Sequence, residues 1–215
     1  MTQYSSLFEM LGAAAPDAIA LRAPERPALS HAGLQQQVRD TVQALNALGI
    51  GRNERVAIVL ANGPEMASYF IACACAVAAA PLNPAYRADE FEFYLRDLNA
   101  RALIVEQGSV SPAIAVAEQL GVQVLDLVLA PGAPAGAFSL AARQPRASAP
   151  AAAGGLAQAD DVSMVLHTSG TTSRPKIVPL SQRNLCASAR NIRQSLQFSA
   201  SDCGLNIMPL SISTA

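Results

Sequence analysis

The repeated switch between helical and extended apolar patterns limits the possible folds more than any other feature of this sequence. Apolar residues recur at helical spacing from Leu34 to Leu48, which predicts an amphipathic helix ending before Gly49. The next apolar run, RVAIVL at 55–60, is short and continuous and predicts a buried strand. The helix-then-strand order returns over 88–106 and 111–129. This order predicts an α/β fold with a mostly parallel sheet and helices on both faces.

An alanine-rich stretch, Met66 to Leu82, is about as long as the shortest membrane-spanning helices. Alanine contributes little to membrane insertion, and apolar strands flank the stretch. We therefore predict a buried helix here, closed by Pro81, and no membrane insertion.

Composition narrows the possible partners and location of the chain. With 51% hydrophobic residues and a net charge of −1, the 215 residues predict a soluble globular protein without an affinity for nucleic acid. No basic leader precedes the first apolar residues, so we expect a cytoplasmic location. Because the cysteines show no CxxC spacing and no nearby histidine, we expect reduced packing residues and no metal site. The cysteines are Cys73, Cys75, Cys186 and Cys203.

Composition also predicts the domain organisation. Residues 131–159 are rich in Ala, Pro and Gly and lack apolar periodicity, which is typical of a loop or linker. We expect them to separate a first α/β unit at 1–130 from a second segment at 160–215.

The sequence LHTSGTTSRPK, Leu166 to Lys176, follows an apolar strand pattern and precedes a second one, KIVPL. Hydroxyl groups and backbone amides freed by a glycine can converge on oxygen anions. All fifteen basic residues are arginine except Lys176, whose compact ammonium suits phosphate. No Asp or Glu occurs from Val162 to Ser201, so the local charge is positive. This pattern predicts a polyphosphate-binding loop, although an ordinary surface loop has a similar composition.

The loop differs from a Walker A motif, which requires a second glycine before the lysine and Ser or Thr after it. Ser173 and Arg174 stand where a second glycine could be sought, and Ile177 follows the lysine. A P-loop nucleotidase is therefore disfavoured.

The segment HTSGTTSRPK resembles the phosphate-binding signature of the adenylate-forming acyl-CoA synthetases, and the resemblance extends over nearly the whole chain. The form TSRPK and the segment ARALIVEQGS are similar to the oxalate and short- or medium-chain acyl-CoA ligase branch. The resemblance implies that the ATP phosphates bind Thr168, Ser169, Gly170, Thr171, Thr172 and Lys176. It assigns no catalytic residue. Two positions depart from the family pattern, because Ser173 and Ile177 stand where glycine is usual.

The resemblance also implies a two-step reaction with ATP, Mg²⁺ and CoA. A small-molecule carboxylate attacks the α-phosphorus of ATP and releases pyrophosphate, and the CoA thiolate then displaces AMP. In the first step the protein mainly positions the phosphates and neutralises charge on the leaving pyrophosphate.

The last residues, SISTA, stand where the resemblance implies Phe-His-Ile-His-Gly-Leu. Deleting one T from the codons CTG TTC CAT ATC CAC GGC CTG A gives Leu-Ser-Ile-Ser-Thr-Ala and a stop, which is the sequence from Leu210 to Ala215. We therefore interpret the chain as a frameshift-truncated fragment without turnover on its own. The alternative is a module that binds ATP or pyrophosphate, or one half of a split enzyme acting with a complementing downstream chain.

We expect four other residues to have structural rather than chemical roles. We expect His31 to lie at a helix entry or on the surface, and His167 to be packed or hydrogen-bonded rather than a base. Tyr86 and Arg87 follow PLNPA, where two prolines fix a turn, so we expect them to support the fold.

Overall fold

The structure is a computed structural model that describes residues 3–144, 149–168 and 175–211. The described helices are α1 (Leu7–Leu11), α2 (His31–Ala47), α3 (Pro64–Ala74), α4 (Ala88–Asp97), α5 (Pro112–Gln119) and α6 (Gln182–Ser195). The described strands are β1 (Ile19–Leu21), β2 (Leu29–Ser30), β3 (Arg55–Val59), β4 (Ala78–Pro81), β5 (Ala102–Glu106), β6 (Gln123–Val128), β7 (Ser139–Ala142), β8 (Val162–Thr168) and β9 (Lys176–Ser181).

The main sheet has the strand order β7-β6-β5-β3-β4-β8-β9 within the described residues. Its five inner strands run parallel to one another, and the edge strands β7 and β9 are antiparallel to β6 and β8. Strands β1 and β2 form a separate antiparallel pair. The predicted α/β class with a mostly parallel sheet is therefore confirmed.

Both faces of the sheet are covered by apolar residues. On one face, side chains of α2 and α3 such as Val38, Leu45 and Tyr69 pack against β3 and β5. On the other face, Phe91 of α4 and Val116 of α5 pack with alternate residues of the same strands. Because the inner strands are buried on both sides, their sequences are continuous apolar runs.

The prediction of one buried helix from Met66 to Leu82 is wrong in its second half. Helix α3 ends at Ala74, and the alanines that follow form the inner strand β4. Alanine has the highest helix propensity, but here its small side chain fits a strand packed on both faces, and tertiary packing decides the conformation. Among the described residues, no helix is long and apolar enough to cross a membrane.

The segment that composition marks as a linker contains the short strand β7 and is anchored to the first part of the chain. The Asn46 side-chain oxygen accepts a hydrogen bond from the Gly155 amide at 2.5 Å. The Asn53 side-chain oxygen accepts one from the Val162 amide at 2.7 Å. These bonds hold the chain beside the start of β3 and direct it into β8. The division into units at 1–130 and 160–215 stays a prediction.

The cysteines are all free thiols, and three of the four pack as expected. Cys73, Cys75 and Cys186 are buried, whereas Cys203 is exposed. The prediction of a packing role is therefore wrong for Cys203, which lies beyond α6, where the described chain packs little of its surface. Burial raises the pKa of the Cys73 and Cys75 thiols to about 12, so both stay protonated at neutral pH.

Candidate functional site

The predicted phosphate loop connects β8 and β9, which form an antiparallel hairpin. Thr168 ends β8 and pairs directly with Lys176, the first residue of β9. Directly opposed residues of an antiparallel pair have Cβ atoms roughly 5 Å apart and side chains on the same face. The structure therefore brings together two of the predicted phosphate-binding residues. The other four lie outside the described residues: Ser169, Gly170, Thr171 and Thr172.

The residues next to this pair occupy the opposite face of the hairpin, because side chains alternate along a strand. His167 pairs with Ile177. Ile177, at the position where the resemblance implies glycine, packs partly buried against the core on the α4 and α5 side. Its side chain thus holds β9 onto the sheet and leaves the Thr168 and Lys176 face open.

The hairpin pair lies at the carboxyl end of β8, beside the parallel strand β4. Ligands of open α/β sheets bind at the carboxyl ends of the parallel strands. Lys176 is exposed there, and no ion pair joins it to another described residue. Its ammonium is therefore available to an anion from solution.

His167 is buried directly before Thr168 and is hydrogen-bonded, as predicted. Its Nε2 lies 3.0 Å from Oδ2 of Asp97, at the end of α4. Its ring meets the Tyr94 ring edge-on, with centroids 4.7 Å apart. Tyr94 in turn stacks on Tyr86 at 4.9 Å, which agrees with the supporting role predicted for Tyr86.

The other end of the hairpin is fixed by Gln182, the first residue of α6, whose side chain is fully buried. Its Nε2 donates to the Ala74 carbonyl at 2.5 Å and to Oγ of Ser163 at 3.0 Å. Its Oε1 accepts from the Leu7 amide at 2.9 Å. One side chain thus joins β8, α6, the end of α3 and the start of α1.

Elsewhere the described residues form a cavity but no cluster suited to a metal. Among the described residues, no group of three or more His, Cys, Asp or Glu side chains is arranged to hold a metal ion. An open cavity of about 490 Å³ lies at the opposite, amino-terminal edge of the sheet. Its Arg55 donates to the Leu98 carbonyl at 2.8 Å, and its Arg101 pairs with Glu54 at 3.4 Å. Both arginines are bonded to other residues of the chain. We therefore keep the hairpin as the candidate functional site.

Comparisons with known proteins agree with this architecture. The sequence profile described as "AMP-binding enzyme" matches residues 8–215. An oxalate–CoA ligase of Arabidopsis thaliana is 35% identical over 208 residues, covering 96% of this chain and 40% of the relative. An indoleacetate–CoA ligase of Aromatoleum aromaticum is 33% identical over 196 residues, covering 91% of this chain and 38% of the relative.

Solved structures share the fold. Apo MatB from Rhodopseudomonas palustris superimposes with a TM-score of 0.69 at 24% identity, over 91% of this chain and 38% of that one. MenE, the o-succinylbenzoate CoA synthetase from Bacillus subtilis, gives 0.66 at 22% identity, over 90% of this chain and 46% of that one. The chain thus spans about 40% of the length of the Arabidopsis relative and less than half of these structures.

Proposed function

Because the chain belongs to the AMP-binding enzyme family, we propose that it carries the phosphate-binding hairpin of an ATP-dependent carboxylate–CoA ligase. The observation that carries the proposal is the direct pairing of Thr168 with Lys176 at the carboxyl edge of the sheet. A hydroxyl and an ammonium that has no ion-pair partner among the described residues share one face there, and neither brings negative charge to the site.

In this proposal the carboxylate substrate attacks the α-phosphorus of ATP, forms an acyl-adenylate and releases pyrophosphate. The Lys176 ammonium stabilises the charge that develops on the leaving oxygens, and the Thr168 hydroxyl donates to a phosphate oxygen. The proposal gives the same phosphate-binding role to Ser169, Gly170, Thr171 and Thr172. In the proposal, Mg²⁺ enters with ATP as part of the substrate. CoA is the acceptor of the second step, and the site of the reaction is the cytoplasm.

A second candidate is supported by the share of the relatives that this chain covers. The 215 residues align with 40% of the oxalate–CoA ligase and 38% of the indoleacetate–CoA ligase. In this candidate, the 215 residues act as a module that binds ATP or pyrophosphate, alone or with a complementing chain. Carboxylate-dependent exchange of label between pyrophosphate and ATP separates the two candidates. We expect the 215-residue polypeptide to bind pyrophosphate without catalysing this exchange, and exchange above background would show that these residues suffice for adenylation.

The phosphate role is tested by titrating the polypeptide with pyrophosphate and with ATP in a calorimeter. A unit charge pair 4 Å apart is worth between about 1 kcal/mol in water and about 4 kcal/mol near a protein surface. Removing the ammonium in Lys176→Ala should therefore weaken binding of both ligands between about fivefold and several hundredfold, with less effect at high salt. Lys176→Arg should rescue binding only in part, because its planar fork has a different geometry.

Arg101→Ala is the matched control, because it removes an exposed cation at the opposite edge of the sheet. It should leave both affinities unchanged. Equal losses in Arg101→Ala and Lys176→Ala would mean that binding reflects net charge, and the phosphate role would then be wrong.

A further inference from the structure

Four side chains behind the hairpin form a small group, here called the support cluster: Tyr86, Tyr94, Asp97 and His167. Their contacts form a chain, with Tyr86 stacked on Tyr94, Tyr94 edge-on to His167, and His167 hydrogen-bonded to Asp97. The His167 side chain is only 5% exposed, whereas that of Asp97 is 38% exposed.

The support cluster joins three separate elements. Tyr86 belongs to the turn that follows β4, while Tyr94 and Asp97 belong to α4. His167 belongs to β8, the neighbour of β4. The cluster therefore connects the hairpin strand to a helix and a turn that are already fixed by the core.

The hydrogen bond to Asp97 sets which nitrogen of the imidazole donates. An ionised carboxylate only accepts hydrogen bonds, so Nε2 of His167 carries the proton and donates it. Together with the Tyr94 ring, this bond fixes both the position and the rotation of the imidazole. A side chain needed only to fill space would require neither the ring nitrogen nor the carboxylate.

The fixed imidazole of His167 also constrains the candidate site, through the backbone that it shares with Thr168. His167 and Thr168 are consecutive, and their side chains point to opposite faces of the hairpin. A shift of the imidazole therefore moves the Thr168 hydroxyl and, through the strand pairing, Lys176.

We propose that His167, held by Asp97, is a positioning residue for the anion-binding hairpin, an inference that rests on the proposed function. It acts through the backbone of Thr168 and does not touch the ligand. Misplacing a binding group by about 1 Å can cost up to a hundredfold in function. The expected effect of releasing His167 is a weakening of pyrophosphate binding between about threefold and a hundredfold.

The experiment measures pyrophosphate affinity by calorimetry in the 215-residue polypeptide. His167→Leu removes the hydrogen-bond donor and should weaken pyrophosphate binding. Asp97→Leu removes the acceptor, which is partly exposed, and should weaken binding similarly. His167→Gln keeps an N–H donor and should restore part of the affinity. In the unmodified chain, the imidazole ¹⁵N spectrum should show Nε2 as a hydrogen-bonded N–H, and Asp97→Leu should remove that hydrogen-bond signature.

Val165→Ala is the control for a purely structural effect. Val165 is buried on the same face of β8, two residues before His167, and lies outside the support cluster. The variant should lower the melting temperature and leave pyrophosphate affinity unchanged.

The outcomes separate this inference from the proposed function. If Lys176→Ala leaves pyrophosphate binding unchanged, the phosphate role itself is wrong. If Lys176→Ala weakens binding while His167→Leu and Asp97→Leu match Val165→Ala, the positioning role is wrong. If His167→Leu does not fold, Asp97→Leu decides the question alone.

Discussion

Replacing Gln182 by leucine should destabilise the protein more than any exposed glutamine replacement, because one buried amide joins four parts of the chain. Leucine has a similar volume but loses the bonds to the Ala74 carbonyl, to Ser163 Oγ and from the Leu7 amide. The Ala74 carbonyl keeps a hydrogen bond from Ser163 Oγ at 3.0 Å, so the Leu7 amide is the main group left without a partner.

The size of the effect follows from those bonds. A neutral hydrogen bond contributes about 1 kcal/mol net, and a buried donor left unpaired costs about 1–3 kcal/mol. We therefore expect Gln182→Leu to lower the free energy of unfolding by about 2–4 kcal/mol. For a chain of this size each kcal/mol shifts the melting temperature by about 2–4 °C, which gives a decrease of roughly 4–16 °C.

Thermal unfolding followed by circular dichroism measures this change. Gln119→Leu is the matched control, because Gln119 is an exposed residue at the end of α5 and should shift the midpoint by less than about 2 °C. Hydrogen exchange should also accelerate in β8 and in the first turn of α6 of Gln182→Leu. A melting temperature equal to that of the Gln119→Leu control would refute the reasoning.

Two further predictions concern packing. Gly136 and Gly108 both have φ near +82°, but a Cβ at Gly136 would meet Leu21 Cδ1 at 2.9 Å and the Pro64 carbonyl at 3.0 Å, whereas one at Gly108 meets nothing within 4 Å. Gly136→Ala should therefore lower the free energy of unfolding by about 1–3 kcal/mol more than Gly108→Ala, measured by urea denaturation, and equal losses would contradict the packing argument. A maleimide at neutral pH should label exposed Cys203 within minutes and Cys73 only on unfolding, since burial raises the pKa of the Cys73 thiol to about 12; rapid native labelling of Cys73 would contradict its burial.

The fold was predictable wherever the apolar period was clear. Helix α2 and strand β3 follow from apolar spacing, and Gly49 adopts the positive φ of 78° expected just beyond a helix end. Strand β4 was not predictable, because its alanines carry no period and favour helix by intrinsic propensity. Its conformation depends on strands on both sides, which a local pattern does not contain.

The candidate site was likewise predictable from the sequence only in part. The hydroxyl-rich loop and its lysine are local in sequence, so Thr168 and Lys176 could be named before the structure. Asp97 and Tyr94 could not, because they reach His167 from a helix some seventy residues earlier in the chain. Gln182 also gave no signal, since a glutamine at a helix start is usually solvated.

The place of β8 beside β4 has a consequence for synthesis on the ribosome. Strands β3 to β6 and the helices between them are complete before residue 130, so this unit can fold while the rest is still being translated. Until β8 emerges, the outer edge of β4 offers unpaired amides and carbonyls to any passing strand. The Ala74 carbonyl also lacks its hydrogen-bond donors Ser163 and Gln182 until those residues have been translated. We therefore expect nascent chains stalled near residue 150 to bind chaperones and aggregate more readily than chains released after α6.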